Sequence, residues 1–229
     1  MLFGDPTFLL VIPALILAFY AQARIRGAYR KYGRVFASSR TTGAQAAYQL
    51  LQTAGAGDVT IEKTPGELTD HYDPRKKVLR LSQGVHDSAS IAALGIAAHE
   101  TGHAIQHHTH YQPMALRSAI YPVASIGSTL AFPLFFVGLI INSGSSKVLM
   151  DIGILLFTGA VAFSVVTLPV ELNASKRALA LLGSRNFLTP DELVGAKKVL
   201  GAAALTYVAA TTMAAVQLLR MFILRSSRD

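Results

Sequence analysis

DSASIAALGIAAHETGHAIQHH, residues Asp87 to His108, is the stretch on which the reading of this 229-residue chain turns. Asp87, Ser88 and Ser90 form an N-cap cluster, because short polar side chains can satisfy the first free N–H groups of a helix; the helix they open is expected to run to about His108. Its apolar run, Ile91 to Ala98, is too short to cross lipid, which takes about 20 helical residues. Polar residues follow at once. The segment therefore reads as a buried helix of a folded unit outside the bilayer.

Around it the chain is too apolar for an ordinary soluble domain. Hydrophobic residues make up 52% and charged residues 15%, with a mean hydropathy of +0.41, whereas soluble domains carry roughly 25% charged residues. Four stretches are long enough to span: 7–23, 119–141, 148–170 and 199–219. Basic residues follow the first stretch instead of preceding it, which favours an uncleaved anchor over a signal peptide. Lys and Arg number twelve between Arg24 and Ser118, five between Glu171 and Lys198, and four on the opposite side. That asymmetry predicts a multi-pass protein with its N-terminus outside and both large loops, 24–118 and 171–198, in the cytoplasm. The net charge of +8 is thereby assigned to topology and lipid headgroups, and nucleic acid is not expected as a partner.

The long loop carries its own structure. Thr42 to Gln52 reads as a helix closed by Gly55. DVTIEKT, GELTDHY and KKVLRLS between Asp58 and Ser82 read as short strands, with turns at Pro65-Gly66 and Asp73-Pro74. The expected fold is a mainly α membrane protein: four transmembrane helices plus a small cytoplasmic α+β unit, forming one domain over residues 1–229. No internal repeat, phosphate-binding glycine loop or GxSxG motif is present.

Within the quoted helix, His99-Glu100-Thr101-Gly102-His103 is an HExxH sequence. Four residues turn a helix through about 400°, so His99 and His103 leave one face, a turn apart, and can share one Zn²⁺. Glu100, on a neighbouring face, can reach a water at the open coordination position and act as general base. Gly102 costs about 1 kcal/mol of helix stability relative to Ala, which reads equally as a close backbone approach there or as a bare packing tolerance. The chain contains no Cys, so any further ligand is His, Asp or Glu. The metzincin positions are Gln106 and Thr109, which excludes that class. His107, His108 and His110 read as a polar helix end. Glu171 fits as third ligand, since a carboxylate at the end of an apolar helix is costly to bury without a partner. Asp151 lies toward the outer end of its span, and Asp191 with Glu192 reads as an N-cap following Pro190. Asn173, Ser175 and Arg177 stand where they can orient the ligand or the substrate.

AAHETGHAIQH (97–107), TLPVELNASKRAL (167–179) and AAALTYVAA (202–210) together resemble the YugP-type neutral zinc metallopeptidases of bacterial membranes, and the resemblance covers nearly the whole chain. The family is similar in plan to the HtpX and CAAX prenyl proteases. The resemblance implies a zincin-like, gluzincin-type catalytic unit with one zinc held by His99, His103 and Glu171, and Glu100 as base. It also implies a bacterial inner-membrane location. An Asp in the HtpX pattern supports a zinc histidine from four residues beyond the ligand Glu; Ser175 stands there in this chain, a departure from the pattern that leaves Asn173 as the candidate to supply that support. A substrate-binding edge strand is implied as well, for which Lys77 to Leu81 (Val78, Leu79, Arg80, Leu81) is the local candidate. The oxyanion-stabilising residue is left open among His110, Tyr111, Arg177 and Tyr207.

The function expected on these grounds is zinc-dependent endoproteolysis of membrane or membrane-proximal proteins at the cytoplasmic face. The alternatives are a non-catalytic zinc-binding scaffold and a metal transporter. The second and fourth spans hold no ionisable residue at their centres, which counts against transport.

Overall fold

The computed structural model of the chain describes residues 6–141 and 145–227. A short 3₁₀ turn, Pro6–Leu10, leads into α1 (Val11–Tyr32). There follow α2 (Gly43–Thr53), β1 (Thr60–Thr64), β2 (His71–Asp73), β3 (Val78–Ser82), α3 (Gln83–His86) and α4 (Ile91–His108). Three long helices complete the chain: α5 (Gln112–Ile140), α6 (Ser146–Ser184) and α7 (Pro190–Ser226).

Four helical segments are long and apolar enough to cross a membrane: Pro6–Tyr32, Gln112–Ile140, Ser146–Ser184 and Pro190–Ser226. They coincide with the four expected spans. α6 and α7 run well beyond them, and the expected loop 171–198 shrinks to residues 185–189. The residues after Val170 include strong helix formers (Glu171, Leu172, Ala174, Lys176, Arg177, Ala178), so nothing stops the helix until Ser184. α7 begins earlier than a hydropathy reading places it because Thr189 caps it. Glu192 N donates to Thr189 Oγ1 and Thr189 N donates to Glu192 Oε2, a reciprocal capping box. The cap is therefore Thr189, not Asp191. The connection between the second and third expected spans, 142–147, falls in part on residues 142–144, outside the described residues.

The chain forms two compact units. The first comprises Met1–Ala21, Leu116–Leu168 and Thr206–Asp229. Its core is Ala131, Phe135, Met150, Ile154, Phe157 and Met221. α5 and α6 approach closely here, since a methyl at Gly153 would lie 2.8 Å from the Ala131 carbonyl oxygen; without a hydrophobic drive in lipid, such small-residue contacts let helices associate. Asp151 pairs with Arg225 at 2.8 Å.

The second unit comprises Gln22–Ala115 and Pro169–Leu205. α4 is its centre. Its hydrophobic residues recur all round, as in a helix buried on every side. One face packs through Ile91, Leu94 and Ala98 against Leu50 of α2, Ala178 and Leu182 of α6, and Ala196 and Leu200 of α7. The opposite face, Ala93, Ala97 and Ala104, packs against Leu79 and Leu81 of β3 and Leu51 of α2. Ser90 Oγ accepts from Ala93 N and caps α4, as the N-cap cluster predicts. α2 starts on a Thr42–Gln45 capping box, and Gly55 beyond its end takes φ +76°, a conformation glycine adopts without steric cost.

The sheet corrects one expectation. Its order is β1-β3-β2, with β1 parallel and β2 antiparallel to β3. Val78, Leu79, Arg80 and Leu81 thus form the central strand, not an edge. The physical reason is visible in the burial of β3: four of its five residues are buried, whereas β1 and β2 are not. A strand apolar on both faces belongs in the middle of a sheet.

Candidate metal centre

The residues that converge on the site all belong to the second unit. His99 and His103 leave α4 one turn apart, and their rings meet edge to face with centroids 4.8 Å apart. α6 brings Glu171 to them. Its Oε2 lies 3.2 Å from His99 Nε2 and 3.3 Å from His103 Nε2. One ligand atom from each of the three residues falls within 4.8 Å of the other two. Zinc–ligand bonds of roughly 2.0–2.1 Å at tetrahedral angles put neighbouring ligand atoms about 3.3 Å apart. The two observed histidine–carboxylate separations match that spacing, so the donor set fits a divalent ion of zinc's size. Glu171 is 2% exposed, and a carboxylate buried that deeply requires a compensating charge.

Close packing of the two ligand-bearing helices makes this possible. A methyl on Gly102 would lie 2.8 Å from the Ala174 carbonyl oxygen and 3.2 Å from its Cα. The glycine inside HExxH is thus where α4 and α6 meet backbone to backbone, the first of the two readings that its cost to the helix allows.

The outward nitrogen of each histidine is also engaged. His99 Nδ1 and Ser175 Oγ are 3.0 Å apart, so Ser175 takes the place of the supporting Asp. His103 Nδ1 lies 3.0 Å from Oε1 of Gln106, a residue whose position in the motif otherwise serves only to exclude metzincins. Gln106 is fully buried. Its Nε2 donates to Val170 O at 2.8 Å and to Asn173 Oδ1 at 3.0 Å. Asn173 Oδ1 also accepts from Arg177 Nε at 2.8 Å, and the Arg177 guanidinium lies over the Tyr111 ring. A buried amide three residues beyond the second histidine was the available signal for Gln106.

Glu100 is partly exposed and accepts no hydrogen bond among the described residues. Burial pushes its carboxyl up from the ordinary value; the Glu171 and Asp70 charges add to this, while His99 and His103 oppose it. Burial is the largest influence on the His103 imidazole and would lower it, but the hydrogen bond and charge of Glu171, the Glu100 charge and the Gln106 hydrogen bond together hold it above its ordinary value. Asp70, just before β2, accepts from both N and Oγ of Ser82. Burial still raises its carboxyl above the usual range.

At the end of α4, His107 Nδ1 meets Tyr72 Oη at 2.9 Å, which ties β2 to α4. Burial pushes the Tyr72 phenol up to about 12, and burial with nearby Lys77 lowers His107. His107 is thus a polar helix end with a tyrosine partner, as expected. Among the other oxyanion candidates, His110 sits in a left-handed turn at φ +52°. Tyr207 lies on the part of α7 that belongs to the first unit.

The comparisons with known proteins agree with this chemistry. A family model described as "Putative neutral zinc metallopeptidase" matches residues 7–226. The "Putative membrane protease YugP" of Bacillus subtilis (strain 168) is 45% identical over 221 residues, covering 96% of this chain and 97% of that protein. No solved structure matches. With a match across nearly its full length and a metal-competent His₂Glu cluster at its centre, the chain belongs to the YugP-type family of neutral zinc metallopeptidases.

Proposed function

We propose that the chain is a membrane-embedded zinc endopeptidase of the HExxH-plus-Glu, gluzincin type, one domain over residues 1–229 with one zinc. It cleaves membrane or membrane-proximal proteins at the cytoplasmic face. The observation that carries this reading is the convergence of one ligand atom each from His99, His103 and Glu171 to within 4.8 Å of one another, with Glu100 next to His99 on the same helix. Zinc, when bound, supplies Lewis-acid polarisation of the water and of the scissile carbonyl.

The chain's own residues do the rest. Glu100 takes the proton of the attacking water and returns it to the leaving amine, the general-base and general-acid roles open to a carboxylate beside the ligands. Ser175 and Gln106 hold the two imidazoles in orientation. The strand that presents substrate is reassigned to the outer edge of β2, which the Tyr72–His107 bond holds along α4 and which pairs with β3 on one side only among the described residues. An extended peptide adding to that edge gains main-chain hydrogen bonds regardless of its sequence.

The test is cleavage of an unfolded protein by the detergent-purified chain, comparing wild type with Glu100→Gln at equal zinc content. Cleavage by wild type alone supports the proposal. Equal cleavage by the variant refutes Glu100 as base, and zinc uptake without cleavage by either favours a zinc-binding scaffold.

A further inference from the structure

We propose that Gln106, Asn173 and Arg177 form a relay that fixes which nitrogen of His103 carries its proton, with Gln106 as the positioning residue of the metal centre. The proposal rests on the metallopeptidase reading above and goes beyond its ligands and base.

A neutral imidazole binds metal through the nitrogen that lacks a proton, and the hydrogen bond made by the other nitrogen decides which one that is. For His103 the deciding neighbour is Gln106. A glutamine amide can present either its oxygen or its NH₂, so its orientation has to be set by something that cannot be turned round. The structure provides two such anchors. The Val170 carbonyl is only an acceptor, and it lies 2.8 Å from Gln106 Nε2. Arg177 is only a donor, and its Nε reaches Asn173 Oδ1 at 2.8 Å. That bond turns the Asn173 oxygen inward, where it meets Gln106 Nε2 at 3.0 Å. With two acceptors on its nitrogen, Gln106 must offer Oε1 to His103 Nδ1, 3.0 Å away. With an ion bound, Nδ1 is then the nitrogen that keeps the proton and Nε2 the one left to bind, with Glu171 Oε2 3.3 Å away as the neighbouring donor atom.

The same amide holds the two ligand-bearing helices in register. Its acceptors, Val170 and Asn173, flank Glu171 along α6, while its own backbone and His103 belong to α4. A displacement of Glu171 relative to His103 would break at least one of its hydrogen bonds. Gln106 is fully buried and water cannot replace it. Arg177 therefore acts through Asn173 and Gln106 on the side of His103 away from Glu171, which makes it a positioning residue and not the oxyanion donor.

The experiment measures zinc affinity by chelator competition on the full-length, detergent-purified chain, together with the visible spectrum of the Co²⁺-substituted protein. The variants are Gln106→Leu, Asn173→Leu, Asn173→Asp and, as a packing control on α4, Leu94→Val. Gln106→Leu is expected to weaken zinc binding by about 10–100-fold, the usual effect of removing a partner that orients a ligand, and to change the Co²⁺ spectrum. Asn173→Asp keeps an acceptor-only group between Gln106 and Arg177, so its affinity stays within about threefold of wild type, whereas Asn173→Leu does not. Leu94→Val alters core packing without touching the relay and leaves both readouts in place. Wild-type affinity in Gln106→Leu, or equal losses in the two Asn173 variants, would overturn the relay. A wild-type chain that takes up no zinc would instead overturn the metallopeptidase reading, and the relay with it.

Discussion

Gly102→Ala is the smallest change that tests how the site is built. A helix interior ordinarily gains about 1 kcal/mol when Gly becomes Ala. Here the added methyl would sit 2.8 Å from the Ala174 carbonyl oxygen, against an ordinary contact that begins at 3.4 Å. The oxygen belongs to helical main chain and a Cβ is fixed directly to it, so neither can swing aside. α4 and α6 must therefore separate locally by about 0.6 Å, the difference between those two distances. Metal sites tolerate ligand displacements of about ±0.2 Å, so an opening of that size takes Glu171 out of bonding range of a zinc held by His99 and His103. Overpacking of this kind costs about 1–3 kcal/mol, which offsets the helix-propensity gain. The expected result is an apo protein of roughly unchanged thermal stability whose zinc affinity falls by at least about tenfold. Chelator competition and thermal unfolding of the apo protein in detergent read the two quantities separately. A variant that is about 1 kcal/mol more stable and binds zinc like wild type would refute the backbone contact and the reasoning built on it.

Further expectations follow from the same geometry. Ser175→Ala removes the partner of His99 Nδ1 and should weaken zinc binding by about tenfold, measured by the same competition, with little effect on apo stability. Asp70 has a carboxyl raised by burial, so the folded state holds its proton more tightly than the unfolded chain does. Its contribution is therefore most favourable below the unfolded value near 3.9 and is lost as pH rises through the folded value. Asp70→Asn, which keeps an acceptor for Ser82, should remove that loss and raise thermal stability at neutral pH relative to wild type; lower stability at neutral pH would contradict it. The chain lacks Cys, so single cysteines report topology cleanly. Gln49→Cys should react with an impermeant thiol reagent only in inside-out vesicles, and Ser227→Cys only in right-side-out ones, and the reverse pattern would invert the orientation read from Lys and Arg.

Much of this was legible in the sequence because the signals are local. Hydropathy locates four long apolar helices, N-cap chemistry starts α4 at Ile91, and the i, i+4 spacing pairs His99 with His103. Glu171 was within reach because a carboxylate ending an apolar helix demands a partner. Other features are set by contacts distant in sequence. Which strand lies at the centre of a three-stranded sheet depends on pairing between β1 and β3 across the intervening β2, and alternation along Val78–Ser82 does not encode it. The ends of α6 and α7 were misplaced because a hydropathy window follows lipid exposure, while the helix follows propensity and caps. Gln106 escaped because its significance lies in Val170 and Asn173, which approach it only once α4 and α6 have packed.

That separation in sequence bears on what zinc does for the protein as well as for its substrate. His99 and Glu171 are 72 residues apart, on helices that touch through a glycine and an alanine near the site. A bound ion closes this long loop through bonds far stronger than any side-chain contact available there, so part of its binding free energy is folding free energy. It also neutralises a carboxylate that is otherwise costly to keep 2% exposed. Removal of the metal should therefore lower the unfolding temperature of the chain. Glu100→Gln, which on the proposed mechanism removes the base but keeps the three candidate ligands, should retain the zinc-dependent increment, whereas Glu171→Gln should lose most of it. If both variants retained the increment, Glu171 would not be a ligand; if both lost it, Glu100 would be holding the metal instead of the water. The contrast between two neighbouring carboxylates thus separates the group that binds from the group that moves a proton, without any knowledge of the natural substrate.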